Sequence, residues 1–294
     1  MAVDEVTGER LDRAHVERPA ADRPLTVIEA TKGWAPLNLR ELSRAHELLY
    51  FFVWRDVKVR YKQTAIGALW AILQPLILML LFTILFSRVA SVSSEGLPYP
   101  VFAYAGLLPW TFFATSLMQA SRSLVSNQSL ITKVYFPRIA LPIAAVVAAM
   151  FDLAVASTLL AVLMLAYGIA PEPTVVLLPV FVLLAAATAL GVGTWLAAVN
   201  VKYRDVQYVV PFLLQVWILA TPIAYSANAL PDSVQFLAAL NPMTSVVEGF
   251  RWALFGTSGV SAGVFACSLG IALGFFVSGL FYFKRTERSF ADVV

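Results

Sequence analysis

The stretch IGALWAILQPLILMLLFTILF, residues 66–86, runs for 21 residues without a charge. At 1.5 Å per residue a helix of that length covers about 30 Å, the thickness of a bilayer's hydrocarbon layer. The residues just before it, WRDVKVRYKQTA (54–65), hold Arg55, Lys58, Arg60 and Lys62. An apolar run introduced by a dense cationic segment is the pattern of a first membrane span flanked by its cytoplasmic charges.

Five further runs have the same character: Val101–Gln119, Ile139–Tyr167, Val175–Val199, Val206–Tyr225 and Val260–Phe283. Of 294 residues, 60% are hydrophobic and 13% charged, with mean hydropathy +0.77. These values exclude an ordinary soluble domain. The sequence therefore predicts an all-α integral membrane protein with six transmembrane helices in residues 65–283, multi-pass in a cytoplasmic membrane.

The basic residues sort by side. Arg55 to Lys62, then Arg122, Lys133 and Arg138, then Lys202 and Arg204, and finally Lys284, Arg285 and Arg288 fall at one set of span ends. The opposite loops hold Arg88 and Arg251 against Glu95, Glu172, Asp232 and Glu248. By the positive-inside rule both termini are cytoplasmic, and the formal net charge of +3 sits on the leaflet whose anionic lipids attract it. Residues 1–33 mix charges of both signs with Ala and Pro and show no apolar period, so they are expected to be a mobile cytoplasmic tail. Their first twenty residues are too polar for the apolar core of a signal peptide. Residues 284–294 are read as a second cytoplasmic tail.

Between the tail and the first span, residues 34–64 read as an interfacial amphipathic helix. Tyr50, Val53, Trp54, Val57 and Tyr61 form one stripe, Arg55, Lys58 and Lys62 another, and Asp56 is placed to pair with Arg60 four residues on. The alternative is that the charges are only the anchors any first span carries. The loop SRSLVSNQSLITKVYFPR (121–138) has no acid and ends at Pro137, predicting a short surface helix from Ser121 to about Lys133. The segment 226–259 has two apolar stretches divided by Asn241-Pro242, each too short to cross. A re-entrant hairpin fits this pattern, with Glu248 and Arg251 able to pair on its second limb.

Enzymatic chemistry is poorly represented. No GxxxxGK[ST] phosphate loop occurs, so the chain does not hydrolyse ATP by that device. Both histidines, His15 and His46, precede the first span, and the single cysteine, Cys267, lies in the last apolar run. No metal-ligand spacing is present. Asp152 stands alone as an acid deep in the third run, about 21 Å beyond Arg138 along a helix, and intramembrane acids find partners inside the bundle. The apolar runs are rich in aromatics, among them Phe82, Phe86, Tyr104, Trp110, Phe112, Phe113, Trp217 and Tyr225. Such residues serve either as membrane anchors or as stacking surfaces for sugar rings along a path.

Several separate motifs carry a family resemblance: RDVKVRYKQTAIGALWAILQP (55–75), LITKVYFPR (130–138), NVKYRD (200–205), NPMTSVVEGFRWALFG (241–256) and TERSFAD (286–292). Over residues 35–294 the chain resembles the membrane subunit of type-2 ABC exporters for lipid-linked polysaccharides such as O-antigen and teichoic acid. The resemblance implies a homodimer bound to two copies of a separate ATP-binding subunit, which holds the ATP and Mg. It implies a coupling helix around Ser121–Tyr135, with Arg122, Asn127, Lys133, Tyr135 and Arg138 as contact candidates for the ATPase. It also implies an aromatic-lined channel and an extracytoplasmic gate in 227–256, with Asn241, Pro242, Glu248 and Arg251 as candidates. Arg55, Lys58, Arg60 and Lys62 then become candidates for receiving a polyprenyl diphosphate headgroup, since basic side chains suit a diphosphate. An exporter of a drug or simple lipid is an alternative, and so is a membrane transferase acting on polyprenyl diphosphate. The latter would need clustered carboxylates for a metal, whereas Asp56 and Asp205 stand apart.

Overall fold

A computed structural model describes residues 45–62, 66–89, 94–227, 231–257, 261–287 and 290. The chain divides into two units, 1–33 and 34–294. The predicted tail and the first part of the interfacial region lie outside the described residues, as do the last four residues.

Among the described residues there are ten α-helices: α1 (His46–Tyr61), α2 (Leu69–Phe82), α3 (Tyr99–Ser126), α4 (Gln128–Lys133), α5 (Ala140–Ala166), α6 (Leu178–Lys202), α7 (Val206–Ala220), α8 (Asp232–Leu240), α9 (Pro242–Phe255) and α10 (Ala262–Thr286). Helix is the necessary form for such a chain, because it satisfies its own backbone groups where no water is present. Five segments are long and apolar enough to span a membrane: Leu69–Phe86, Tyr99–Ser126, Ala140–Ala166, Pro173–Lys202 and Ala262–Thr286. The chain is thus an all-helical, multi-pass membrane protein.

The fifth predicted run behaves differently from the other five. α7 has only 15 residues, about 22 Å at the α-helical rise and short of the hydrocarbon thickness. It stops at Thr221, which is extended (φ −100°, ψ 136°). The cause is Pro222, which disfavours helical geometry in the residue before it and offers no N–H. A non-helical stretch follows from Thr221 to Ser226, and its carbonyls need donors from elsewhere.

α3 and α6 sit at the centre, α3 packing on α5, α6 and α9, and α6 also on α10. Small residues set the closest approach. A Cβ on Gly279 of α10 would stand 2.0 Å from the Gly191 oxygen of α6, so these backbones touch where only glycine allows it. Two apolar cores result. The larger runs through α3, α5, α6 and α9, around Tyr104, Phe113, Leu107 and Phe250. The smaller gathers Phe52, Ile131, Phe136, Leu141, Phe283 and Phe290 near the basic loop ends.

Candidate functional site

The four basic residues of α1 part company. Arg55 and Arg60 are half-buried against the bundle, and Lys58 and Lys62 are exposed. Phe52, Val53, Asp56, Val57 and Arg60 recur at helical spacing on the face turned to α5, as a period of 3.6 residues requires. The predicted aromatic stripe is divided by this packing. Tyr50 and Trp54 are more than half exposed, whereas Val53, Val57 and Tyr61 are partly covered.

The expected Asp56–Arg60 pair does not form. Asp56 instead takes both Nε and Nη2 of its neighbour Arg55, at 3.0 and 2.8 Å, while Arg60 reaches across to α5 and α3. Its guanidinium donates to Asp152 and to the side-chain oxygen of Gln119. Tyr61 donates its hydroxyl to the other oxygen of Asp152. The i,i+4 pairing lost because a carboxylate inside an apolar bundle needs donors far more than one at a helix surface does. Burial and the adjoining Asp152 carboxylate push the Tyr61 phenol up to about 12.

Arg60 stands between two cavities. One, of about 260 Å³, is lined by Arg60, Tyr61, Trp70, Gln74, Thr111 and Asp152 among others. The second, of about 510 Å³, is a groove lined by Arg55, Asp56, Arg60, Gln119, Arg122, Ser123, Ser126 and Asn127 together with Val59 and Ala145. Three arginines therefore line one groove between α1 and α3. Arg122 donates from Nη2 to the Gln207 carbonyl at the start of α7, at 2.8 Å. Its Nε is buried with no hydrogen-bond partner, an arrangement that is costly unless something fills it.

The basic loop 121–138 is not one surface helix. α3 continues through the predicted start to Ser126, and Asn127 breaks it (φ −115°, ψ 26°) before the six-residue α4. The longer α3 is explained by its own buried face, since Ser121, Ser123 and Leu124 are all buried. Asn127 lines the groove and immediately precedes α4. Beyond it Lys133 is exposed, as are Val134 and Tyr135, the last 71% exposed. Arg138 faces inward: it donates to the Glu287 carbonyl and lies over the Phe290 ring. The closing TERSFAD motif is therefore anchored at Phe290, which is fully buried and packs edge-on to Phe283 at 5.3 Å. The predicted tail from 284 accordingly begins within α10 and leaves one residue in the smaller core.

Of the candidate channel aromatics, Phe82, Tyr104, Trp110, Phe112 and Phe113 are buried within this chain, and Tyr104 donates to the Ala156 carbonyl at 2.9 Å. Phe112 also borders the smaller cavity. Phe86, Trp217 and Tyr225 are partly exposed, and Trp217 joins Trp110 and Phe113 in an edge-to-face cluster.

The second limb of the predicted hairpin is the most buried helix of all: every residue from Pro242 to Arg251 is buried. Asn241 caps it, accepting from the Met243 N–H at 2.9 Å, with Pro242 at the first turn, a favoured pairing for a helix start. The Asn241 oxygen also receives the Trp217 indole at 2.9 Å. Glu248 and Arg251 do pair, at 3.5 Å. Arg251 does more than that. It donates to the carbonyls of Pro222, Ile223 and Phe102 and lies over the Phe102 ring at 3.7 Å. It thus supplies the donors that the non-helical stretch after α7 requires.

Sequence reasoning found the isolated acid Asp152 but not its partners. The signal for a partner was the charge itself; nothing local pointed to Arg60 and Tyr61, about ninety positions earlier. It also missed Gln119 and the burial of Phe290.

Residues 47–255 match the family described as ABC-2 type transporter. An O-antigen export system permease protein of Myxococcus xanthus, RfbA, is 37% identical over 216 residues, 72% of this chain and 82% of the relative. A permease of the same name from Klebsiella pneumoniae is 27% identical over 86% of this chain and 97% of its own. The polysialic acid transport protein KpsM of Escherichia coli is 25% identical over 79% of this chain and 91% of its own.

Proposed function

From the premise that the chain belongs to the ABC-2 type transporter membrane family, we propose that it is the permease subunit of an ATP-driven polysaccharide exporter. Its substrate is a glycan carried on a polyprenyl diphosphate, moved outward across the bacterial inner membrane. Two copies form the path, and two copies of a separate ATP-binding subunit drive it. In this reading α7 and the stretch after it make the fifth of six crossings, α8 and α9 border the outer end, and the basic groove and α1 face the cytoplasm.

The relatives named for O-antigen export and polysialic acid transport support the substrate class. The observation that carries the mechanism is the adjacency of two surfaces at Asn127. On one side lies a groove lined by three arginines, suited to phosphate oxygens because each guanidinium offers a planar fork of donors. On the other begins the exposed segment through Lys133 to Tyr135, a projection for the ATPase to grip. A push on α4 is transmitted through Asn127 to the wall of the groove, so ATP hydrolysis and headgroup position are mechanically joined. Lys58 and Lys62, exposed on α1, attract anionic headgroups towards the groove without entering it.

The test is ATP hydrolysis by the chain co-reconstituted with its ATP-binding partner, in lipid, with and without geranylgeranyl diphosphate. The wild-type pair is expected to hydrolyse ATP faster when the prenyl diphosphate is present. Lys133→Glu with Tyr135→Ala should abolish that acceleration and leave the permease folded. A folded chain that binds no ATP-binding partner would refute the proposal.

A further inference from the structure

Outside the paths already discussed, the feature that demands an explanation is the bond between Arg60 and Asp152. It fastens the end of α1 to α5, yet neither residue is fully buried: their side chains are 22% and 18% exposed. Among the described residues, Arg60 alone borders both cavities. Asp152 lies on the wall of the smaller one, and Gln119, the other partner of Arg60, on the wall of the groove.

We propose that Asp152 is an internal substitute for a phosphate. In the resting chain its carboxylate occupies the Arg60 guanidinium. When a diphosphate enters the groove between α1 and α3, Arg60 exchanges Asp152 for a phosphate oxygen, and the end of α1 is released from α5. The inference rests on the reading that the substrate carries a diphosphate.

Charge supports the exchange. Arg55, Arg60 and Arg122 line the groove with Asp56, and Asp152 is bonded to Arg60, which leaves one positive charge in excess before any ligand arrives. A diphosphate brings at least two negative charges and several acceptor oxygens, so it outcompetes a single carboxylate for a guanidinium fork. The released acid is not abandoned, because Tyr61 continues to donate to its other oxygen, which offsets the cost of leaving a carboxylate in a partly dry site. Gln119 guides Arg60 on the groove side through its existing bond.

Such an exchange makes the ligand's affinity depend on a residue it never touches. If Asp152 competes for Arg60, the binding-competent fraction of the resting chain is reduced, and removing the competitor raises apparent affinity. Tyr61 has the opposite influence, since without its hydroxyl the freed carboxylate loses a donor and release becomes harder.

The experiment uses the full chain with its ATP-binding partner in phosphatidylcholine nanodiscs and measures binding of geranylgeranyl diphosphate. Geranylgeraniol and inorganic diphosphate serve as competitors. Asp152→Asn is expected to bind roughly 5- to 10-fold tighter than wild type, and Tyr61→Phe more weakly than wild type. Arg60→Gln combined with Asp152→Asn should lose the gain. If wild type binds the prenyl diphosphate but Asp152→Asn binds it equally or more weakly, the exchange is overturned and the substrate reading survives. Wild type that binds no prenyl diphosphate, while still hydrolysing ATP with its partner, overturns both. Equal competition by inorganic diphosphate keeps the exchange but overturns the lipid headgroup as the source of the anion. Tyr61→Phe provides the decision on its own should Asp152→Asn fail to fold, because it removes one oxygen and no charge; tighter or unchanged binding there also overturns the exchange.

Discussion

Arg251 and Arg60 each bring a guanidinium into an apolar bundle, and each pairs with one acid, yet their surroundings differ in kind. Arg251 is fully buried, and its donors are spent on backbone carbonyls of Pro222, Ile223 and Phe102 as well as on Glu248. The Pro222 and Ile223 carbonyls belong to a chain break imposed by Pro222, and the Phe102 carbonyl lies in the first turn of α3. Arg60 is partly exposed, and its acceptors are the side chains of Asp152 and Gln119 at the rim of two cavities. A cation that satisfies fixed backbone groups in a dry site is a structural fixture, because removing it strands several polar groups at once. A cation that satisfies side chains at the rim of two cavities is available for exchange.

That contrast is broken most directly at Arg251. Arg251→Met leaves Glu248 buried without its cation and strips donors from the stretch after α7, so the cost should reach about 3–5 kcal/mol. Thermal unfolding in detergent is expected to show a large fall in Tm or loss of folded protein. A Tm close to wild type would mean that the Arg251 site relaxes as readily as the Arg60 site.

Gly106 sharpens the same point by steric means. A Cβ there would stand 2.5 Å from Nη2 of Arg251, and the guanidinium is held by its carbonyls and has nowhere to retreat. Gly106→Ala should therefore destabilise by about 1–3 kcal/mol, as overpacking of a filled core does. Combining it with Arg251→Met should give less than the sum of the two effects, which a double-mutant cycle measures.

Asn241→Ala removes the cap of α9 and the acceptor of the Trp217 indole, with an expected loss of about 1–2 kcal/mol. Trp217 fluorescence should shift in the folded variant, since the indole N–H loses its bond. At the other arginine the effect on folding is smaller. Asp152→Asn should change stability by about 1 kcal/mol, because Arg60 retains Gln119 and the new amide oxygen can still accept from Tyr61. A change as large as that of Arg251→Met would erase the distinction drawn between the two sites.

The smallest effect concerns pH. The Tyr61 phenol is raised to about 12 from an ordinary 10.0, chiefly by burial and then by Asp152. A folded-state value above the unfolded one means that the contribution is complete below about pH 10 and is lost as pH rises towards 12. Wild type should therefore lose slightly more stability than Tyr61→Phe across that alkaline interval, as measured by parallel melts.

Much of the architecture was legible because a bilayer restricts the choices. Runs of apolar residues such as 66–86 had to be helices, and five of the six predicted runs appear as apolar helices long enough to cross, the second running on to Ser126. The fifth was read too long, since hydropathy continues through Thr221 to Tyr225 while Pro222 ends the helix. The pairing of Glu248 with Arg251 was also legible, being set by a spacing of three on one helix. The fate of Asp56 and Arg60 was not: their spacing of four allowed a bond, and only the approach of α5 with a more needy acid diverted it.

By itself, then, the sequence determined that this chain lies in a membrane, that its elements are helices, and that its charges gather at one set of loop ends. Those properties follow from local composition and from the hydrocarbon's demand that each segment satisfy its own backbone. Tertiary structure alone decided which of four basic side chains on α1 turn inward, that Arg122 joins Arg55 and Arg60 in one groove, and that Phe290 closes the smaller core. The physical reason is distance along the chain. Arg60 and Asp152 are separated by 92 positions, and no local pattern records which two remote helices will come to share a polar contact.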